Sequence, residues 1–127
     1  MKYNNPTINI GDILTRPKAL GFIEHFGVAV ARNMVLQNTP EKGEHLTTYD
    51  GFSAGKPVTV HKTGANPMSV QARSQQILAN PKKYDAIRRN CQHTVYEVIC
   101  GIAKSPLVVA ALVVAGVIFV GYLLTRR

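Results

Sequence analysis

Cys91 and the four histidines are the side chains of this sequence best suited to covalent chemistry. Cys91 follows Asn90, a residue type that caps helices, and the run CQHTVYEVICG then reaches Gly101, a natural helix stop. The spacing predicts a helix over 91–101 with Cys91, Thr94, Val95, Val98, Ile99 and Ile102 on one face. A thiol in that first turn meets unpaired backbone N–H groups and the positive end of the helix dipole. Both favour a thiolate, and the same N–H groups can bind an oxyanion formed beside it. Cys100 reads as a small buried apolar residue. On one helix the two cysteines stand about 13.5 Å apart, beyond the roughly 4.4–6.8 Å Cα separation of a disulfide, so free thiols in a reducing compartment are expected.

A nucleophilic cysteine needs a base, most often histidine. His93 diverges from Cys91 by about 200° around the helix and is expected, with Asn90, to support the loop before it. His45 in a polar stretch and His61 near a strand end read as surface residues. His25 interrupts an apolar strand, FIEHFGVAVA. Its position alone leaves two roles open, a hydrogen-bonded core or edge residue and a general base. No His, Cys, Asp and Glu set has metal-ligand spacing, so neither metal nor other cofactor is expected.

These residues need a scaffold, and 127 residues suffice for one domain. Strands are expected over 8–16, ending at Pro17, over 22–31 and over 34–38, the last two tightly connected. Residues 41–55 are polar and glycine-rich. Residues 57–62 alternate again, with Val58 and Val60 on one face. A helix over 69–79, capped by Ser69 or Asn66, stops at Asn80-Pro81. The fold class is α+β: a small antiparallel sheet with packed helices, occupying residues 1–105. From Pro106 to Leu124 no side chain is charged or strongly polar, and as a helix this run is about 28 Å long, close to the ~30 Å hydrocarbon layer. A C-terminal transmembrane anchor over 106–124 with a basic tail over 125–127 is the expectation. The N-terminus has no apolar leader, and with reduced thiols this suggests a cytosolic domain on a single-pass anchor. The formal charge is +8, with Lys82, Lys83, Arg88 and Arg89 clustered before Cys91. A membrane surface is the expected contact of that cluster; nucleic acid is not, since no nucleic-acid motif is present and aromatics are sparse.

The segments GDILTR, EHFGVAV and NCQH, in that order, resemble the lecithin:retinol acyltransferase-like family, which includes small phospholipase A/acyltransferases. The resemblance covers roughly residues 10–105. It implies a permuted papain-like (NlpC-type) fold in which His25 of His25-Phe26-Gly27 is the base and Cys91 of Asn90-Cys91-Gln92-His93 the nucleophile. It further implies acyl transfer from a membrane glycerophospholipid through a Cys91 thioester, and many animal members share a single hydrophobic anchor. The family commonly places a second histidine twelve residues after the first; here that position is Gln37. An amide can orient an imidazole, as Asn does in papain-like triads, without stabilising its charge. For Gln37 to share a face with His25, the hairpin needs a three-residue loop or a bulge. A thiol amidase or peptidase, and a non-catalytic membrane-bound interaction module on the same fold, are the alternatives.

Overall fold

The computed structural model of the protein describes residues 7–19 and 23–126. Phe22, expected to open the second strand, residues 1–6 of the expected domain and Arg127 of the tail lie outside the described residues. In chain order the elements are β1 (Ile13–Ala19), β2 (Ile23–Ala31), β3 (Met34–Thr39), β4 (Gly43–Thr47), α1 (Tyr49–Ser53), β5 (Thr59–His61), α2 (Pro67–Ala79), α3 (Cys91–Cys100) and α4 (Pro106–Thr125). Among the described residues the strands form one antiparallel sheet in the order β4-β3-β2-β1-β5, so the architecture is α+β.

β3 runs one residue longer than expected, β5 keeps only Thr59–His61 of the expected 57–62, α2 starts at Pro67 instead of 69, and three larger differences have a physical reason. β1 starts at Ile13 rather than residue 8, because Gly11, at φ 97°, turns the chain just before it. It also continues through Pro17. Its outer neighbour β5 reaches only residues 13–15 of β1, so at Pro17 the outer edge carries no partner and the missing N–H breaks no ladder. Residues 41–55, which lack an apolar alternation, nonetheless form β4 and α1.

The sheet has two packed faces. Ile13, Val28 and Leu36 point to the side covered by α2 and α3, where they meet Val70, Ile77, Val95 and Val98. Leu14 and Val35 point to the other side, where Phe52 of α1 covers them and Val58 and Val60 join, as their shared parity implies. Gly27 of β2 lies under Phe52: a Cβ there would stand 2.6 Å from Phe52 Cε1 and 2.7 Å from Val35 Cγ1. Only glycine lets the aromatic ring approach the strand so closely.

Asn66, not Ser69, caps α2 by accepting from Ser69 N–H, with Pro67 in the first turn. α3 ends at Gly101, at φ 78°. Ile102 lies past that stop and is exposed instead of extending the apolar stripe. Cys100 is exposed rather than buried, because it projects away from the sheet at the helix end, and both cysteines are free thiols. α4 has 20 residues with a mean hydropathy of 2.8, and none of that span is buried. It is long and apolar enough to cross a membrane.

Candidate active site

The β2–β3 hairpin decides which side chains meet. Its turn is the two residues Arg32-Asn33, with Asn33 at φ 52°, a conformation asparagine tolerates. Two residues alone would set Gln37 opposite Val28 and face it away from His25. A bulge between Ala29 and Ala31 shifts the register by one, so Gln37 pairs with Gly27 and shares a face with His25. The side chains then meet, with His25 Nε2 and Gln37 Oε1 at 2.8 Å and both buried.

Next across the sheet, opposite Gln37, is His45 of β4. Gln37 Nε2 lies 3.1 Å from His45 Nε2, and His45 Nδ1 lies 2.7 Å from Gly43 O. This corrects the reading of His45 as a surface residue: the bulged register and β4 draw it half-buried against the pair. The chain of bonds assigns its own protons. A carbonyl can only accept, so His45 Nδ1–H donates to Gly43. In neutral His45 the Nε2 then accepts from the Gln37 amide, so Oε1 faces His25 and His25 Nε2–H donates to it. The lone pair of His25 remains on Nδ1, and no described residue hydrogen-bonds to that nitrogen. Under the ring lies Phe52, stacked at a centroid distance of 5.3 Å.

Burial is the main reason His25 is hard to protonate. The Gln37 hydrogen bond acts in the opposite direction, while Arg16, Lys18 and His45 add to the depression, and the pKa falls to about 4. At neutral pH His25 is therefore an uncharged acceptor. Because its folded pKa lies below the ordinary 6.5, the folded state binds fewer protons, so this group leaves stability intact above about pH 6.5 and erodes it as pH falls toward about 4, by at most about 3 kcal/mol. Urea titrations at pH 7 and pH 4.5 check this: the wild type is expected to lose more stability between them than a His25→Phe variant does.

Cys91 is buried in the first turn of α3, facing the sheet. Asn90 caps that helix: its Oδ1 accepts from Gln92 N at 2.9 Å and His93 N at 3.2 Å. His93 Nδ1 in turn accepts from Asn90 N at 3.0 Å, completing a capping box. Asn90 and His93 thus fill the supporting roles expected of them. One consequence narrows the expected oxyanion site. The N–H groups of Gln92 and His93 already donate to Asn90 Oδ1 and that of Thr94 to Asn90 O, which leaves the Cys91 N–H as the first-turn donor for an incoming oxygen.

The loop leading into Cys91 is fixed by Glu44, to which the sequence alone assigns no role. Its buried carboxylate accepts from Arg89 Nε at 2.8 Å, Thr94 Oγ1 at 2.7 Å and Lys82 N at 2.8 Å. Arg89 also binds Glu97, 2.6 Å away. Burial opposes the Arg89 charge, but the hydrogen bonds of Glu97 and Glu44 outweigh it and raise the pKa above its ordinary value. Asn38 reaches across from β3 to Arg89 O at 2.9 Å and Thr94 Oγ1 at 3.2 Å. Arg89 was expected among the membrane-surface contacts; it is instead buried and ion-paired, its charge spent on two carboxylates. Lys82, Lys83 and Arg88 are exposed.

The structure brings His25, Gln37 and His45 into one hydrogen-bonded row, and Asn38, next to Gln37 on β3, bonds Arg89 O and Asn90 O just ahead of Cys91 from the other face of the sheet. Arg16 is near enough to both His25 and Cys91 to act on them through its charge. It pairs with His25 across β1 and β2 and donates to Phe52 O at 2.6 Å. Burial lowers its pKa, and the nearby Cys91 partly offsets that. No hydrogen bond joins the Cys91 thiol to His25 among the described residues. A cleft of about 1010 Å³, lined by Asp12, Arg32, Tyr49 and Lys62 among others, lies at the far end of the sheet by the β2–β3 turn and contributes nothing to these groups. No three His, Cys, Asp or Glu side chains gather as a metal site among the described residues.

If Gln37 orients the base, Gln37→Ala should lower kcat on the order of 10–100-fold with little change in KM, because it frees His25 to adopt either tautomer. Gln37→Glu, which still accepts from Nε2–H, should retain more activity. Neither a protein-family model nor a curated protein matches the sequence.

Proposed function

We propose that the protein is a membrane-anchored thiol acyltransferase of the lecithin:retinol acyltransferase-like kind, taking an acyl chain from a glycerophospholipid. The observation that supports the reading is the row His25–Gln37–His45, which holds a buried neutral imidazole in one tautomer with its lone pair left on Nδ1. His25 Nδ1 takes the Cys91 proton and the thiolate attacks the ester carbonyl, with the oxyanion on the Cys91 N–H. The lyso-lipid leaves with the proton from His25, and water, an amine or an alcohol then takes the acyl group from sulfur. Closure of thiol on imidazole accompanies substrate entry, since catalytic hydrogen bonds commonly tighten only in the complex. The acyl-lipid substrate follows from the motif resemblance and agrees with an apolar helix separated from the end of α3 by only five residues. The permuted papain-like fold and a cytosolic domain belong to the same proposal.

The test is to incubate the purified protein with phosphatidylcholine vesicles and, separately, with peptide and isopeptide substrates. Lyso-lipid formed in the first and no cleavage in the second is the expected result. Amide cleavage without lyso-lipid would replace the reading with a thiol amidase.

A further inference from the structure

The first residues of α3 and α4 are tied together. Asn90, the cap of α3, donates from Nδ2 to Ala86 O and to Ser105 Oγ, each at 3.1 Å. Ser105 is the buried cap of α4; its hydroxyl donates to Gln92 Oε1 at 2.6 Å and accepts from Val108 N at 3.3 Å. Gln92 Oε1 also accepts from Leu107 N at 3.0 Å. Every hydrogen-bonding position of the Asn90 amide is used, and two of its bonds reach the elements on either side. The helix able to cross a membrane is therefore joined to the turn before Cys91 by side chains as well as by the chain.

That turn has an unusual tip. The bonds Asp85 N to Arg89 O and Arg89 N to Asp85 O, both 2.9 Å, close its base, and Asp85 Oδ1 accepts from the N–H groups of Ile87 and Arg88. Arg89 pins it to Glu44 from below. So rigid a turn presents Ile87 to solvent at 61 % exposure, flanked by Arg88 and close in sequence to exposed Lys82 and Lys83. An exposed apolar tip beside Arg88, with Lys82 and Lys83 exposed just before the turn and Asp85 occupied by the N–H groups of Ile87 and Arg88, suits the interfacial layer of an anionic leaflet, where the side chain is buried and the cations meet headgroups.

We propose that the Asn90–Ser105–Gln92 junction holds the 85–89 turn in the headgroup layer of the bilayer that α4 enters, with Ile87 inserted and Arg88 on lipid phosphates. Cys91, two residues beyond that turn, then lies buried just beneath the leaflet surface. The inference requires α4 to span and stands whether Cys91 transfers acyl groups or not.

The sequence contains no tryptophan, so a single indole is an unambiguous reporter. Ile87→Trp and Met68→Trp would be reconstituted separately in phosphatidylcholine vesicles containing phosphatidylserine and a lipid with a doxyl group near the glycerol. Met68 is exposed in the first turn of α2, whose Gln71 bonds to Val30 O by the β2–β3 turn, away from the start of α3. Quenching roughly threefold stronger at position 87 than at position 68 is expected for an insertion depth of about 5–10 Å. It should fall to the position-68 level when Gln92→Ala or Ser105→Ala is added and recover with Ser105→Thr, which keeps the hydroxyl. Circular dichroism of each variant separates this from unfolding, and Gln92→Ala serves if Ser105→Ala does not fold. Equal weak quenching at both positions, or quenching at 87 indifferent to both junction variants, overturns the proposal.

Discussion

Glu44→Gln is expected to destabilise the domain by about 3–5 kcal/mol, the largest stability effect of any single substitution considered. The reason is the chemistry of its surroundings. One carboxylate oxygen accepts from Arg89 and Thr94, the other from Lys82 N–H. Each neighbour is a donor, so a glutamine must turn its NH₂ toward a donor whichever way the amide is flipped. The buried Arg89 guanidinium also loses its fully buried counter-charge and keeps only Glu97, which is 30 % exposed. At about 4–8 °C per kcal/mol for a domain of this size, the thermal midpoint should drop by more than about 10 °C. Thermal unfolding in detergent measures it. A fall of under about 2 °C would mean that this carboxylate does not hold the loop ahead of Cys91.

Cys91→Ala and His25→Ala are expected to produce the largest losses of activity. In the proposed mechanism Cys91 is the sulfur that carries the acyl group, so without it turnover should fall to background. His25→Ala removes the general base of the proposed mechanism, a role commonly worth about 10²–10⁴-fold. The two variants should separate in stability. Cys91→Ala trims one small buried side chain and should cost about 1 kcal/mol, so its inactivity would be chemical. His25→Ala leaves a gap over Phe52 and strands the Gln37 carbonyl in a buried setting, so a larger loss is expected there. Imidazole added to His25→Ala should restore part of the rate, which a purely structural role for His25 would not allow.

The motifs were legible because they are local. Asn90 and Gly101 bound α3 through interactions within a few residues, and the 106–124 run announces its length and apolarity without context. The pairing of His25 with Gln37 was legible only as a condition, since a bulge in one strand is not written in any single residue type. What escaped notice depends on long-range contacts. β4 reads as polar loop because its buried side, at Glu44, is ionic rather than apolar, and the partners that make such burial tolerable lie at 82, 89 and 94. His45 acquires its role only once β4 is laid beside β3. Adjacent Arg88 and Arg89 look equivalent in sequence, yet the turn closed by Asp85 sends one to solvent and the other to Glu44 and Glu97. The signal that could have found β4 is the Thr39-Pro40 stop followed by Gly43, at φ 70°, and a short return.

In the proposed mechanism acyl groups pass through the sulfur of Cys91. Intact mass of the detergent-purified protein after incubation with phosphatidylcholine, beside Cys91→Ala and His25→Ala, tests it most directly. A fatty-acyl adduct that hydroxylamine removes is expected on the wild type and not on Cys91→Ala. A folded wild-type protein that forms neither adduct nor lyso-lipid would contradict it.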